Sequence, residues 1–335
     1  MLKITLRAPP APAVLEAAWR ELETKADISF FQSWTWTGCL FAERFTRPLL
    51  LRAEHDGVVV ALGLFQRGLL SLHLGETGVA ARDTIYIEHN GLLRARDGAP
   101  SIADLLRAIL RQGVIPRRVR LSGVDTAHHA AASEVGGRIV ARRAHVAPMV
   151  DLSVRGRDWI AGLSANTRQQ LRRSTRAYGA PIVERAQTVA QAHDFLDGLA
   201  ELHQRSWRQR GQPGAFAEPF FRRFHRELIA RGLPRDEIDL LRVHADGATI
   251  GYLYNFRHRG HVLAYQSGFD YAAARGAQKP GMTCHQLAID MYAAAGAQIY
   301  DFLAGDHRYK RSLANEQTRL YWLTLYPPLA AWRRR

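Results

Sequence analysis

The chain reads YQSGFD at residues 265–270, KPGMT at 279–283, QIYDFL at 298–303 and AGDHRYKR at 304–311. This order predicts a strand, a glycine turn, a helix over about residues 283–295, a second strand and an exposed polar cluster. A strand that turns through glycine into a helix presents free backbone N–H groups and the positive end of the helix dipole. Such a helix start suits an anionic pyrophosphate, as an acyl-CoA transferase would need.

Length and composition are those of an ordinary globular chain. The 335 residues predict two domains of about 150 residues each, and no run approaches the roughly 18 apolar residues of a membrane span. The N-terminus lacks the apolar stretch of a secretion signal. The two cysteines, Cys39 and Cys284, are far apart in sequence, which predicts a reducing compartment and no zinc site. We therefore expect a cytoplasmic protein without a metal, and the oligomeric state stays open.

The formal net charge of +15 is unusual. It fits nucleic acid, an anionic membrane surface or a polyanionic small substrate such as CoA, and equally a solvated basic surface without a partner. Four arginines, Arg168, Arg172, Arg173 and Arg176, fall on one or two faces of a predicted helix. They predict either phosphate contacts or a solvated helix face. No recognised nucleic-acid module accompanies them, so sequence-specific binding is not expected.

The two halves of the chain follow a similar order of helices, antiparallel strands, a helix and further strands. In the second half, helices are predicted at Asp158–Tyr178 and Val189–Gln209, and three antiparallel strands between Ile238 and Phe269. The last strand, Arg319–Tyr326, precedes a short basic tail. The pattern predicts an α/β (α+β) chain of two similar domains, 1–152 and 153–335, each with a mixed, mostly antiparallel sheet flanked by helices. A cleft between the two copies would receive the acceptor.

The second half resembles the GNAT-superfamily acetyltransferase domain of CelD-like (cellulose-biosynthesis-type) proteins, which are related to the FemAB/FemX peptidyltransferases. The matching stretches are Leu163–Arg168 with Leu171–Arg173, Leu202-His203, Trp207, Arg210-Gly211, Pro213–Phe216, Tyr265–Phe269, Pro280-Gly281, Asp301-Phe302, Gly305-Asp306 and Tyr309-Lys310. They cover about residues 158–315 in the order and spacing of that family. Ser33-Trp34 and Glu88–Leu92 resemble the first half of the same family.

This resemblance implies a tandem GNAT fold and acyl transfer to an amine or a hydroxyl. GNAT enzymes commonly carry a pyrophosphate loop of the form Arg/Gln-x-x-Gly-x-Gly/Ala, and Arg275–Met282 fits that form only loosely. Relatives with altered loops include some that use aminoacyl-tRNA in place of CoA. The predicted donor is therefore acyl-CoA, for example acetyl-CoA, with aminoacyl-tRNA, and hence a tRNA partner, as the alternative.

The predicted donor site is the start of the helix near residue 281. Gly281 and Thr283 would present N–H groups to a phosphate, with Thr283 as N-cap, while Lys279 and Arg275 add charge. Ser267, Gly268 and Met282 complete this predicted cofactor-binding set. The alternative is that Pro280-Gly281 merely turns a strand into a helix.

The predicted catalytic residues are Asp306, Tyr309 and Lys310, which follow the end of a strand. Acyl transfer needs a base for the acceptor proton, a donor to the developing oxyanion and an acid for the leaving group. Asp306 would act as base, Lys310 would stabilise the carbonyl oxygen and Tyr309 would protonate the thiolate. The alternative is a surface salt bridge between Asp306 and Lys310.

Acceptor binding is predicted at two places. Trp207 and Arg210, an aromatic residue beside an arginine, suit a planar or anionic acceptor, although Trp207 fits a core position equally well. Glu88 and Asn90 follow a strand of the first half, where turn chemistry explains Asn90-Gly91 as well. The predicted acceptor set is completed by two residues of the second half, Tyr265 and Asp301.

Three functions remain open at this stage. No Gly-x-Ser-x-Gly nucleophile motif is present, so direct transfer in a ternary complex with a small amine or hydroxyl acceptor is favoured over an acyl-enzyme. The alternatives are an aminoacyl-tRNA-dependent transferase that forms peptide bonds, and a non-catalytic GNAT-like module in polysaccharide biosynthesis.

Overall fold

A computed structural model describes residues 1–111, 118–136 and 138–327 of the chain. The chain divides into two compact units, of which unit 1 comprises Met1–His145 and the segment from Arg319 on, and unit 2 comprises Val146–Thr318. This division differs from the predicted domains because the last strand belongs to unit 1 rather than to the second half. The predicted basic tail lies outside the described residues, and the domain boundaries of 1–152 and 153–335 stay a prediction.

The first part of the chain alternates strands and helices. They are β1 (Leu2–Arg7), α1 (Pro12–Thr24), α2 (Trp34–Glu43), β2 (Pro48–His55), β3 (Val58–Arg67), β4 (Ser71–Leu74), β5 (Leu93–Arg94), α3 (Ile102–Arg111), β6 (Arg118–Val124), α4 (Thr126–Glu134) and β7 (Arg138–Asp151). A short 3-10 helix, Phe30–Gln32, precedes α2.

The second part has longer helices. The elements are α5 (Ala165–Ala177), β8 (Ile182–Arg185), α6 (Val189–Gln209), α7 (Pro219–Gly232), β9 (Ile238–Ala245), β10 (Ala248–His258), β11 (His261–Phe269), α8 (Pro280–Ala294), β12 (Ile299–Asp301), α9 (Arg308–Leu313) and β13 (Glu316–Tyr326). Short 3-10 helices lie at Gly156–Gly162, Ala215–Ala217 and Leu233–Arg235.

Both units have the same strand order, which confirms the internal repeat. In unit 1 the order is β1-β2-β3-β4-β6-β13, and in unit 2 it is β8-β9-β10-β11-β12 followed by the last residues of β7, whose first residues up to His145 belong to unit 1. In each unit four antiparallel strands are followed by one parallel neighbour, β6 beside β4 and β12 beside β11. A parallel neighbour requires a crossover connection, and α3 and α8 provide the helix of that connection. The fold is therefore a mixed, mostly antiparallel α/β structure, as predicted.

The hairpins of unit 2 follow the predicted turn residues. Asp246 and Gly247 connect β9 to β10 with φ values of 47° and 78°. Two-residue turns with positive φ at both positions match the twist of antiparallel strands. The three central strands are thereby fixed as neighbours, and β11 delivers its last residues to the start of α8.

The predicted helix Asp158–Tyr178 is wrong in one respect, because it is broken at Ser164. Residues Gly156–Gly162 form a 3-10 helix, and α5 begins only at Ala165. The Ser164 side chain accepts a hydrogen bond from the Thr167 backbone N–H at 3.2 Å, which is an N-cap. In the 3-10 segment, Trp159 is buried and its indole N–H donates to Asp290 at 2.7 Å. The break lets α5 begin as a separate helix that packs on α8.

Candidate functional site

Strands β11 and β12 form a parallel pair that separates early. They pair over three residues, from His261 opposite Ile299 to Leu263 opposite Asp301. Strand β11 continues to Phe269, whereas β12 ends at Asp301. In α/β structures, ligands bind beyond the carboxyl ends of strands where neighbours diverge. The open end of this pair is therefore the expected position of a site in unit 2.

A pocket of about 300 Å³ lies at the start of α8. Its walls come from the end of β11, the loop to α8, the first turn of α8 and the segment after β12. The lining residues are Phe269, Tyr271, Ala274, Gln278, Lys279, Pro280, Gly281, Met282 and Tyr309. Aromatic and aliphatic groups predominate, and the polar groups are an ammonium, an amide and two phenols. The structure thus brings together Lys279, Gly281, Met282 and Tyr309 from the predicted set.

The first turn of α8 contributes backbone N–H groups to this pocket. Lys279 is the N-cap, and no side chain caps the helix. The first N–H groups of a helix have no intrahelical acceptor, and Pro280 has no N–H. Gly281 and Met282 therefore supply the uncapped amides among the lining residues. Gly281 also leaves little room for a side chain, since an added Cβ would lie 3.1 Å from the Tyr271 hydroxyl and 3.2 Å from the Phe269 ring.

The predicted N-cap at Thr283 is wrong. The Thr283 side chain is fully buried one position inside the first turn, and its hydroxyl lies 2.7 Å from the Ser174 hydroxyl. Ser174 of α5 also accepts a hydrogen bond from the Lys279 N–H at 2.8 Å. The Lys279 ammonium donates to Gln170 at 2.5 Å. Thr283 therefore anchors the start of α8 to α5 and does not face the pocket.

Tyr309 forms one wall of the pocket between two imidazole rings. Its ring stacks on His285 with centroids 5.5 Å apart and on His307 with centroids 6.2 Å apart. Burial, and then the neighbouring Tyr271, raise the pKa of Tyr309 above its ordinary value. The phenol therefore stays protonated at neutral pH and can donate to a group in the pocket.

His307 was part of the quoted sequence but was not predicted as a site residue. Its side chain is exposed beside Tyr309. Partial burial, and then the charges of Lys310 and Arg210, lower the pKa of His307, while Asp306 opposes the shift. The imidazole is therefore neutral at pH 7 and can accept a proton. His307 lies two residues before Tyr309, and α9 begins between them. The sequence alone does not show whether two side chains at this spacing lie on the same side.

The other two predicted catalytic residues do not line the pocket. Asp306 is exposed and its carboxylate pairs with Arg311 at 3.1 Å. Lys310 is buried, and its ammonium donates to the carbonyl oxygens of Leu303 at 3.1 Å and Ala304 at 2.9 Å. The alternative of an Asp306–Lys310 salt bridge is also wrong, because Asp306 pairs with Arg311. Lys310 instead holds the turn after β12, in which Leu303 has a φ of 61°.

Asp301 shapes the same turn. It is fully buried, and its carboxylate accepts a hydrogen bond from the Leu303 backbone N–H at 2.7 Å. Its second oxygen lies 3.3 Å from the His261 imidazole. Leucine rarely adopts positive φ, so Asp301 and Lys310 together hold a backbone conformation that would otherwise be unfavourable. The geometry gives Asp301 a structural role rather than the predicted contact with the acceptor.

Three predicted residues of β11 face helices or rings. Tyr265 lies in a bulge between paired neighbours and packs on Phe256 with centroids 4.5 Å apart. The Ser267 carbonyl accepts a hydrogen bond from His203 at 3.1 Å. A Cβ on Gly268 would lie 2.4 Å from the Leu199 carbonyl oxygen of α6, so this glycine permits close packing of a helix. None of the three lines the described pocket.

Trp207 and Arg210 lie at the end of α6. Trp207 is partly buried against His203, and the Arg210 guanidinium lies 5.8 Å from the centroid of the Trp207 ring. Arg210 is exposed, and its charge acts on Tyr271 of the pocket and on His307. Arg210 is therefore close enough to act on the charge of groups at the pocket, but neither Trp207 nor Arg210 is among its lining residues. The predicted acceptor role of this pair stays a prediction.

In unit 1 the corresponding position is filled by the chain itself. The Asn90 amide donates to the carbonyls of Leu74, at the end of β4, at 3.3 Å and Ser122, in β6, at 3.1 Å. Its oxygen accepts from the Gly91 N–H at 2.9 Å, and Glu88 is buried beside it. Asn90 thus joins the two parallel strands that would otherwise diverge. Its hydrogen-bonding capacity is taken up by backbone groups, so the geometry gives it a structural role.

The basic face of α5 is only partly exposed to a ligand. Arg168 donates to the carbonyls of Ala161 and Leu163 and so holds the preceding segment. Arg172, Arg173 and Arg176 are exposed. Arg173 neighbours Gln170 and Ala177 along the helix, and these two residues bond to Lys279 and Gln278 of the pocket. The charge of α5 therefore lies close to the start of α8.

The described residues contain neither a metal-binding cluster nor a membrane-spanning helix. Within residues 1–111, 118–136 and 138–327, no group of three or more His, Cys, Asp or Glu side chains could hold a metal ion. Both cysteines are buried and unbonded to one another. No helix in these ranges is long and apolar enough to cross a membrane.

The architecture is that of tandem GNAT proteins, and comparisons with known structures agree. A crystal structure of FemX matches with a TM-score of 0.65 and 9% identity, covering 99% of each chain. L-PGS from Bacillus licheniformis matches with a TM-score of 0.58 and 14% identity, covering 96% of this chain and 94% of the other. A tandem GNAT protein from the clavulanic acid biosynthesis pathway matches with a TM-score of 0.52 and 13% identity, covering 97% and 98%. At these identities the likeness concerns the fold.

The sequence itself matches one family model. Residues 165–311 match the acetyltransferase (GNAT) domain, and this range includes α5, α8, the pocket and Tyr309. No curated protein matches the chain. The match covers less than half of the chain; it places an acetyltransferase (GNAT) domain in the second half, as predicted, and together with the fold it supports a transferase.

Proposed function

We propose that this chain is an acyltransferase that takes an acyl thioester of CoA at the pocket of unit 2. It transfers the acyl group to the amine or hydroxyl of a small acceptor. The proposal depends on the pocket at which the open end of β11 and β12, the amide end of α8 and Tyr309 meet. The apolar lining suits an extended thioester arm. The N–H groups of Gly281 and Met282, with Lys279, suit the anionic part of the donor.

The residues that line the pocket also limit the charge of the acyl group that can bind there. No carboxylate is among the residues that line the described pocket. The nearest acidic residue of the loop, Asp270, bonds to the Ala273 N–H at 3.1 Å and lies 3.7 Å from Arg205. A cationic acyl group would therefore lack a counter-charge. We infer that the transferred group is not cationic.

Tyr309 of the pocket and His307, which stacks on Tyr309 without lining the pocket, can carry out direct transfer. The donor supplies an activated carbonyl, and the acceptor nitrogen or oxygen forms a bond to that carbon while the carbon–sulfur bond breaks. His307, neutral at pH 7, takes the proton lost by the acceptor. Tyr309, protonated at pH 7, gives its proton to the departing sulfur. In this mechanism His307 takes the place of Asp306 as the base, and Tyr309 remains the acid, as the sequence predicts.

A thermal-shift and calorimetric series tests the proposal. CoA, acetyl-CoA and longer acyl-CoA species should raise the Tm of the wild type, because a ligand that binds the folded state stabilises it. Gly281→Val, which places a branched side chain against Tyr271 and Phe269, should weaken that response by roughly tenfold or more in Kd. Leu69→Ala, an exposed substitution in unit 1, is the matched control. Indifference of the wild type to every thioester would contradict the proposal.

A second candidate keeps the fold and uses aminoacyl-tRNA as donor. It is supported by the exposed Arg172, Arg173 and Arg176 of α5, by the net charge of +15 and by the resemblance to FemX. Titration with charged tRNA at several salt concentrations separates the two candidates. When phosphate contacts drive binding, the affinity falls as the salt concentration rises, and it falls more steeply the more phosphates are contacted. Tight, salt-sensitive binding of charged tRNA together with no response to CoA would favour this candidate.

A further inference from the structure

Unit 1 contains an arginine cluster apart from the pocket of unit 2. We define it as Arg118 and Arg120 of β6 with Arg142 and Arg143 of β7. Arg118 and Arg120 are two residues apart in a strand and therefore point to the same face of the sheet. His73 of β4 pairs with Arg120, so its side chain lies beside Arg120 on that face.

The cluster carries more positive charge than its surroundings offset. Glu76 accepts a hydrogen bond from Arg142 at 3.3 Å and lies 4.0 Å from Arg143. A second carboxylate, Asp83, is taken by Arg44 and by the backbone N–H groups of Thr77 and Gly78. Among the described residues, Glu76 thus pairs with Arg142 and Arg143, and no ion pair joins a carboxylate to Arg118 or Arg120.

Several polar groups of this region lack partners. The Nε–H groups of Arg118, Arg120 and Arg142 are buried and have no hydrogen-bond partner among the described residues. His73 is 3% exposed; its Nε2 lies 2.7 Å from the Ser71 hydroxyl, and its Nδ1 has no partner in the described ranges. Buried polar groups are normally hydrogen-bonded, and an unpaired charged donor is costly. The arrangement is that of a site for an anion.

The mutual repulsion of the arginines supports the same interpretation. Burial, and then the charges of Arg142 and Arg118, lower the pKa of Arg120. Burial, and then Arg120, lower the pKa of His73 to about 4, so the imidazole is neutral and adds no charge. An arginine remains charged at any accessible pH. A bound anion would therefore relieve repulsion that the fold itself leaves uncompensated.

We propose that this arginine cluster binds the phosphate group of a small anionic ligand. Guanidinium groups match phosphate oxygens in bidentate geometry, and Ser122, which accepts a hydrogen bond from Arg142 at 3.0 Å, offers a hydroxyl beside the cluster. The side chain of Arg142 is 26% exposed and that of Arg143 is 55% exposed, so the cluster opens to solvent on one side. A single phosphate or diphosphate reaches such a half-buried site better than the surface of an extended polyanion does.

Calorimetry with pyrophosphate and with a nucleoside diphosphate tests this proposal. Arg118→Gln with Arg120→Gln should weaken binding of both probes by about tenfold or more, because hydrogen bonds from charged groups are strong. The matched control is Lys3→Gln with Arg7→Gln, which removes two exposed charges of β1 in the same unit and should leave binding unchanged. Lys279→Gln, at the proposed donor pocket of unit 2, separates pyrophosphate bound at that pocket from pyrophosphate bound at the cluster.

The two probes distinguish a bare phosphate site from one that also recognises a nucleoside. Equal affinity for both supports recognition of the phosphate alone, and tighter binding of the nucleoside diphosphate adds a nucleoside contact to the site. Should the glutamine pair fail to fold, Arg118→Lys with Arg120→Lys keeps the charge and loses the bidentate geometry, and a drop of several-fold is expected. The proposal would be overturned if neither probe bound, or if the β1 control lost as much affinity as the Arg118 and Arg120 variant. A preference for anionic vesicles or RNA over both probes would also overturn it.

Discussion

The phenol ring of Tyr309 stacks on the imidazole of His285, with centroids 5.5 Å apart and planes 17° from parallel. His285 is buried on α8, one turn after Gly281, and its Nδ1 lies 2.9 Å from the Tyr300 hydroxyl. Burial, and then Lys310, lower the pKa of His285 to about 3, so this imidazole stays neutral at physiological pH. The contact fixes the Tyr309 ring against α8, and it explains why a residue of α9 lines a pocket at the start of α8.

Replacement of Tyr309 by phenylalanine tests its role as the acid. Tyr309→Phe keeps the ring and its stacking but removes the proton donor. We expect kcat to fall by about 10²-fold or more, with little change in Kd for the donor. Steady-state kinetics with a thioester series and calorimetry of CoA measure the two effects separately.

Tyr271→Phe is the matched control for that experiment. Tyr271 lines the same pocket but is 51% exposed. Loss of its hydroxyl should change kcat little. An equal fall in both variants would show that pocket polarity matters rather than one proton donor, and an unchanged kcat in Tyr309→Phe would remove Tyr309 from the mechanism.

The pH dependence of the rate tests His307. A base must be unprotonated to accept a proton, and burial with the charges of Lys310 and Arg210 lowers the pKa of His307 below its ordinary value of 6.5. The rate should therefore be near its plateau at pH 7 and fall as the pH drops below 6.5. Tyr309, whose pKa is raised, should cause no alkaline loss below about pH 10.

A variant separates this acid limb from titration of the acceptor amine. His307→Gln should lower the plateau rate and flatten the acid limb that belongs to the enzyme. The loss of rate caused by protonation of the acceptor amine remains in both proteins, and its pH position changes with the amine used. A His307→Gln profile identical in shape and height to that of the wild type would exclude His307 as base.

Sequence reasoning predicted the strand order around α8 because its signals are local. Apolar alternation, two-residue turns such as Asp246-Gly247 and the Pro280-Gly281 turn all act within a few residues, although α8 begins at Pro280 rather than near residue 283. The repeat of that order in both halves followed from the same signals. The helix break at Ser164 was missed, since a serine N-cap inside a basic helical pattern resembles an exposed helical position until the buried Trp159 is placed.

Side-chain directions limited the prediction of the site. Asp306, Tyr309 and Lys310 lie within five residues, yet they point to Arg311, the pocket and two carbonyls. Sequence spacing cannot separate these directions, because α9 begins within the segment and Leu303 has a positive φ before it. Gly268 and Asn90 were singled out for their residue types, but long-range contacts with α6 and β6 explain them.

Lys310 is expected to matter for stability through the turn after β12. Lys310→Met keeps the length of the buried side chain but leaves the carbonyls of Leu303 and Ala304 without their charged donor. Each unsatisfied buried group costs about 1–3 kcal/mol, so the free energy of unfolding should fall by roughly 2–4 kcal/mol. Urea denaturation measures this change.

Asp306→Asn is the counterpart of that substitution. Its exposed pair with Arg311 is worth about 0–1 kcal/mol, so both stability and kcat should stay close to wild-type values. A large loss of kcat in Asp306→Asn at unchanged stability would restore Asp306 as the base. It would also show that the region after β12 rearranges when substrates bind.

Asn90 gives the sharpest test of the difference between the two units. Its amide bridges the carbonyls of Leu74 and Ser122 and accepts from the Gly91 N–H, in a position that corresponds to the open end of β11 and β12. Asn90→Ala should lower the free energy of unfolding by about 2–3 kcal/mol, because it removes one hydrogen bond from each of three backbone groups. Affinity for CoA should stay unchanged, since the proposed donor pocket belongs to unit 2. Asn166→Ala, at an exposed position of α5, should change neither quantity. If Asn90→Ala instead weakens donor or acceptor binding at unchanged stability, Asn90 is a binding residue, as its sequence position first suggested, and unit 1 takes part in substrate recognition.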